Sequence, residues 1–276
     1  MRTILNVSIV TSLSKPRFDA IAFIGELKDI FKRAAKYGYD GVELSLLDPK
    51  DLKVSVVKAL CEEYKIKVPA FSTGLNYLHE GLSLTDPKPN VRKKAVARLK
   101  DFVEVAHKLS SGVVIGLMRG KVVGGVKYEV AYTWLIEGLQ ELCEYAEKFD
   151  VKIFFEPLNR YETNIINTVD EGLKLIEDVG SKSLYLLLDT FHMNIEEAIV
   201  EESIKKASSR LGHFHVADSN RLAPGLGHID FKSIIKTLLD IKYEGFLSAE
   251  ILPKPSPEEA AKIAIENLRK IFREIV

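Results

Sequence analysis

Four residues of this chain combine metal-ligand chemistry with a recurring position. Glu156, Asp189, His215 and Glu250 each stand at or near the end of a short apolar run of the kind that forms a β-strand. Glu156 follows Val-Lys-Ile-Phe-Phe and precedes a proline; Asp189 closes Leu-Tyr-Leu-Leu-Leu; Glu250 closes Phe-Leu-Ser-Ala; His215 lies in Gly-His-Phe-His-Val. A carboxylate at a buried strand end must be paired, hydrogen-bonded or bound to a metal. Three of them together repel one another unless protons or a cation compensate. Three carboxylates and an imidazole make an oxygen-rich set. One divalent ion fits it, Mn²⁺ first, with Mg²⁺ or Co²⁺ as alternatives, rather than a thiolate-type zinc. His213 shares strand parity with His215; the latter is nearer the strand end and is taken as the ligand, and His213 as a packed or hydrogen-bonded core residue. Glu43, inside Gly-Val-Glu-Leu, is another inward candidate, which either orients a ligand or pairs with a cation.

The elements that must position these residues alternate. Strand-like segments run over Leu5–Val10, Val42–Leu46, Val68–Ser72, Gly112–Met118, Lys152–Phe155, Leu184–Asp189, Gly212–Ala217 and Phe246–Ile251, and a helical pattern follows each. The helix from Thr168 carries a capping-box pattern with Glu171. A single helix is expected from strand six to about Ser209. Strict alternation implies parallel strands with right-handed crossovers, and eight units predict an α/β fold, a (β/α)8 TIM barrel, as one domain over residues 1–276. An open doubly wound sheet fits less well, because Ser12-Leu-Ser-Lys-Pro16 after the first strand is no dinucleotide or phosphate fingerprint. Active sites of such barrels lie at the C-terminal strand ends. Neighbouring strands are about 4.8 Å apart, so the four strand-end residues can converge. Two irregular loops, Gly74–Pro89 and Arg119–Val126, are candidates for a lid. Arg119, Lys121 and Lys127 would there offer positive charge to a carboxylate-bearing substrate.

Bulk properties narrow the class. Lys+Arg and Asp+Glu are 39 each in 276 residues, so no basic excess points to nucleic acid or an anionic membrane. The two cysteines, Cys61 and Cys143, fall in helical patterns without metal-type spacing. No signal-peptide pattern and no membrane-length apolar run is visible, and a cytoplasmic protein is expected.

Over Val151 to Leu252 the chain resembles the D-tagatose 3-epimerase and D-psicose 3-epimerase family of sugar isomerase/epimerase barrels. The runs that carry this are Glu156-Pro-Leu-Asn-Arg-Tyr-Glu162, Leu188-Asp-Thr-Phe-His-Met-Asn-Ile-Glu-Glu197, His215-Val-Ala-Asp-Ser-Asn-Arg221, Pro224-Gly-Leu-Gly-His228 and Ala249-Glu250. Before residue 151 the likeness is architectural only. The resemblance implies that Glu156, Asp189, His215 and Glu250 are the metal ligands, and that Glu156 and Glu250 are also the acid/base pair. It implies that Glu162, His192 and Arg221 bind the keto end of a substrate, with His192 alternatively capping the next helix. The expected activity is inversion of the carbinol carbon beside the keto group of a ketohexose or keto sugar acid, through an enediolate. Expected partners are that small molecule and further copies of the chain, as a dimer or tetramer. The alternatives are an aldose–ketose isomerase of the hydroxypyruvate isomerase type, an endonuclease IV-like DNA-repair nuclease, and a non-catalytic sugar-binding barrel.

Overall fold

The computed structural model describes residues 5–275; residues 1–4 and 276 of the expected 1–276 domain lie outside it. Eight parallel strands form the frame: β1 (Asn6–Ser12), β2 (Gly41–Ser45), β3 (Ala70–Ser72), β4 (Gly112–Ile115), β5 (Ile153–Phe155), β6 (Leu184–Asp189), β7 (Leu211–Val216) and β8 (Phe246–Ala249). Each pairs with the next. β8 pairs back on β1, from Asn6 opposite Phe246 to Ile9 opposite Ala249, which closes the predicted barrel. A two-residue segment, Phe23–Ile24, adds to the end of β1.

The strand sequences explain the two sides of the wall. Val42 and Leu44 of β2 and Ile153 and Phe155 of β5 belong to the apolar layer between strands and helices. The alternate residue Phe154 packs with Ala70, Val114 and Leu187 inside the barrel. Burying such a ring contributes about 1.5–3 kcal/mol. Two glycines make room for it: a Cβ on Gly112 or Gly212 would come within 2.2 Å or 2.6 Å of the Phe154 ring. Gly212 is the extra residue where β7 slips against β6, since Leu186 faces Leu211 but Leu187 faces His213. Phe154, Ala70, Val114 and Leu187 thus plug the barrel interior, with the His213 ring stacked on Phe154.

Several boundaries differ from the expectation. β4 stops at Ile115, and Gly116 leads into a 3₁₀ turn, Leu117–Arg119. The loop expected over Gly74–Pro89 contains a helix, Gly74–Glu80, closed by Gly81 in the left-handed region. The single helix expected after β6 is two, Thr190–Glu196 and Val200–Ala207. The Thr168–Glu171 capping box is present in both directions. No helix among the described residues is long and apolar enough to cross a membrane.

Candidate metal centre and active site

The ends of β5 to β8 bring the four strand-end residues together. Glu156 leaves β5 into the barrel mouth against Gly116, where a Cβ would lie 2.7 Å from its Oε2; only a glycine leaves that space. Asp189 ends β6 and caps the following helix, Oδ1 accepting from the Phe191 N–H at 2.7 Å. Its other oxygen, Oδ2, has no partner. His215 turns Nε2 down to Glu43, at 3.1 and 3.2 Å from the two carboxylate oxygens. Its Nδ1 faces upward, 3.6 Å from Glu156, 3.9 Å from Glu250 and 4.0 Å from Asp189. One ligand atom from each of Glu156, Asp189, His215 and Glu250 lies within 4.8 Å of all the others.

This arrangement fits a divalent cation. Glu156 Oε1, Asp189 Oδ2 and His215 Nδ1 are buried and without a hydrogen-bond partner, a costly state unless something else occupies the space between them. Donors around an ion of this class sit about 2.0–2.3 Å from it, so their mutual separations reach about 4–4.6 Å, close to the span seen. Burial raises the Glu156 carboxyl well above the usual range, and repulsion from Glu250 and Asp189 adds to this. Burial likewise raises Asp189 and Glu250. Burial alone would lower His215, but Glu43, Glu250 and Glu156 outweigh it and push the imidazole up to about 10. Without an ion the cluster holds protons; an ion would replace them.

Above the cluster opens a cleft lined by Phe18, Ile21, Leu75 and Leu117 together with Glu156, His192, Arg221 and Glu250. Arg221 forks between Glu162 and Glu250, donating from Nη1 and Nη2 at 2.8 Å each. Its guanidinium is sandwiched by Phe18 and Phe191, 4.8 and 4.7 Å from the ring centroids. His192 is buried in the helix after β6, its Nδ1 2.7 Å from the Asn159 amide. Its Nε2 has no partner and lies 3.8 Å from Glu156. Burial, with Arg221 and Arg119 nearby, holds this imidazole well below its usual pKa, so it is neutral. A neutral ring, a fixed guanidinium and a carboxylate therefore face the same space.

The structure brings together all seven residues singled out for ligation, acid/base work and substrate contact. It gives the helix cap to Asp189 and not to His192. It departs from the lid expectation at Arg119, which is fully buried. The Arg119 Nε donates to the Gly116 carbonyl at 3.0 Å and Nη1 to the Ile166 carbonyl at 2.9 Å, with Phe155 4.2 Å beneath. The charge is internal because its aliphatic and planar parts fill the wall behind β5, and burial lowers its pKa to about 9. The adjoining loop is tied down too: Val122 exchanges two hydrogen bonds with Asn164, and Gly120 accepts from Thr163. Of the basic residues suggested for substrate, Lys121 alone reaches the cleft's outer rim, beside Tyr161. Sequence reasoning missed Asn159, although it lies in the quoted Glu156–Glu162 run. It also missed Phe18 and Gly116, for which a lone sequence carries no signal.

The comparisons agree with this geometry. A family model described as "Xylose isomerase-like TIM barrel" matches residues 31–271. An L-ribulose 3-epimerase of Methylomonas sp. (strain DH-1) is 35% identical over 220 residues, 79% of this chain and 75% of that protein. A D-psicose 3-epimerase of Ruminiclostridium cellulolyticum is 31% identical over 241 residues, 82% of this chain and 78% of that one. Among solved structures, a D-allulose 3-epimerase from Methylomonas sp. in complex with D-allulose superposes with a TM-score of 0.80 at 28% identity, covering 96% of this chain and 97% of the other. The resemblance drawn from residues 151–252 is thereby borne out, and the matches extend well beyond that stretch.

Proposed function

The chain belongs to the xylose isomerase-like TIM barrel family, and from that premise and the geometry of its site we propose that it is a divalent-metal-dependent ketose 3-epimerase. The observation that carries the proposal is the convergence of Glu156, Asp189, His215 and Glu250, with unpartnered atoms of three of them facing one point beneath the cleft. Relatives named as L-ribulose and D-psicose 3-epimerases support the substrate class.

Epimerising a carbinol carbon beside a ketone requires a proton to leave one face and another to arrive on the opposite face. Glu156 and Glu250 come from β5 and β8, separated by β6 and β7, and so approach the cleft from different sides of the mouth. One acts as base while the other, protonated, acts as acid. The Arg221 fork to Glu162 and Glu250 orients Glu250 and offers positive charge to developing oxyanion character. Neutral His192, held by Asn159, presents Nε2 to a substrate oxygen. Glu156, Asp189, His215 and Glu250 would hold Mn²⁺, or Mg²⁺ or Co²⁺ in its place, and the ion would supply electrophilic stabilisation of negative charge developing on oxygen.

Apart from Arg221, which is already paired with Glu162 and Glu250, the residues lining the cleft include no lysine or arginine, and Phe18, Ile21, Leu75, Leu78 and Leu117 make much of the lining apolar. That favours an uncharged ketose over a keto sugar acid. We further propose that the protein acts as a homo-oligomer in the cytoplasm. The test is to load the protein with Mn²⁺ and incubate it with D-fructose, D-psicose, D-tagatose and L-ribulose. At least one should yield its C3 epimer by chromatography, and chelation should abolish the product; production of an aldose alone would replace this reading by the isomerase one.

A further inference from the structure

Beneath the site, Glu43 is completely buried on β2, where its neighbours Val42 and Leu44 face the opposite side of the wall. Three donors converge on its two oxygens. Ser72 Oγ, at the end of β3, donates to Oε1. His213 Nε2 lies 2.8 Å from Oε2. His215 Nε2 lies 3.1 Å from Oε2 and 3.2 Å from Oε1. A carboxylate accepts up to about four hydrogen bonds, whereas an amide oxygen accepts about two and its NH₂ accepts none. Glutamate is thus the side chain of this shape that satisfies all three.

The consequence falls on His215. An imidazole whose Nε2 gives its hydrogen to Glu43 has its Nδ1 lone pair free, and Nδ1 is the buried, unpartnered atom facing Glu156, Asp189 and Glu250. We propose that Glu43 is the positioning residue of the metal centre, fixing the tautomer and tilt of His215 so that Nδ1 is the ligating atom. The inference rests on the metal-dependent reading above and adds to it a residue from the opposite part of the barrel. Ser72 extends the same network to the lining of the cleft, so the third strand supports the seventh through Glu43.

The readout is metal affinity, not turnover. Apo-protein is titrated calorimetrically with Mn²⁺. Glu43→Gln is expected to weaken binding about 10- to 100-fold, the range typical of losing a partner that orients a metal-bound histidine. His213→Gln disturbs the same buried cluster but spares the His215–Glu43 contact, and should stay within about threefold of wild type. A merely structural Glu43 would lower the apo unfolding midpoint while leaving the dissociation constant unchanged. Affinity of Glu43→Gln within about threefold of wild type, or an equal loss in His213→Gln, would overturn the proposal. If Glu43→Gln does not fold, ¹⁵N-histidine spectra of the Mg²⁺-loaded wild type decide the matter. They should show His215 protonated at Nε2 and ligated at Nδ1, and the reverse assignment would overturn it. Wild-type protein that binds no Mn²⁺ would instead contradict the metal centre itself.

Discussion

At the scale of single residues, the site is organised by what each side chain leaves unused. Asp189 spends Oδ1 on a helix cap and keeps Oδ2 for the centre. His215 gives Nε2 to Glu43 and keeps Nδ1. Glu250 takes a charged hydrogen bond from Arg221 on Oε2 while Oε1 faces His215. These three side chains are each held by one atom and turn another toward the centre. Glu156 lacks such a hold on its side chain, apart from the tight fit against Gly116. Replacing Glu156 or Glu250 by glutamine should lower kcat for epimerisation by at least about 10²-fold, since each removes a positioned acid or base. Stopped-time assays on Mn²⁺-saturated variants check this, and near wild-type kcat in either would remove it from the acid/base pair. Arg221→Lys keeps a charge but loses the planar fork to two carboxylates and the sandwich between Phe18 and Phe191. It should raise KM and lower kcat together, read from initial-rate kinetics on the same ketose.

At the scale of elements, two features outside the ligand set position it. The floor of the barrel fits Phe154 against Gly112 and Gly212. Gly112→Ala should cost about 1–3 kcal/mol by overpacking, seen as a lower urea midpoint, while the folded fraction retains its kcat. Arg119 ties the turn after β4 to the loop after β5 through the Gly116 and Ile166 carbonyls. Arg119→Met leaves the buried Ile166 carbonyl without its donor, while the Gly116 carbonyl keeps the bond from the backbone N–H of residue 119, and should cost about 1–3 kcal/mol. It should also loosen Gly116 against Glu156, which kcat would report. These two features show how far a sequence can be read. Strand count, order and the convergence of the four strand-end residues were legible because alternation and strand-end acids are local patterns. Thr168 and Glu171 announced their helix start for the same reason. Arg119 was not legible, since a basic residue among glycines reads as a solvated loop and only tertiary packing buries it. The break between Thr190–Glu196 and Val200–Ala207 was missed because Asp189 starts a short helix that packs over the mouth, overriding a continuous helical pattern.

At the scale of the whole molecule, four buried ionisable groups converge at the barrel mouth, and the proposed divalent cation would reconcile their charges. Glu156, Asp189 and Glu250 have folded pKa values above their unfolded ones, principally from burial. The stability their protonated forms contribute is complete below an unfolded value of about 4 and is lost as pH rises through the raised folded values. A bound cation removes that loss by taking the place of the protons. The rise in melting temperature on adding saturating Mn²⁺ should therefore grow between pH 5 and pH 8, as scanning fluorimetry would show; a rise independent of pH would mean that the carboxylates do not hold the ion. The central claim, proton transfer at the carbon beside the ketone by two opposed glutamates, is tested most directly in D₂O. Mn²⁺-loaded protein is incubated with D-psicose and L-ribulose and followed by proton NMR. For at least one of them the C3 proton signal should be lost to deuterium as the C3 epimer appears, and no epimer should form with Glu156→Gln. Deuterium entering at C1 with aldose formation, or epimer formation that persists in Glu156→Gln, would contradict the claim.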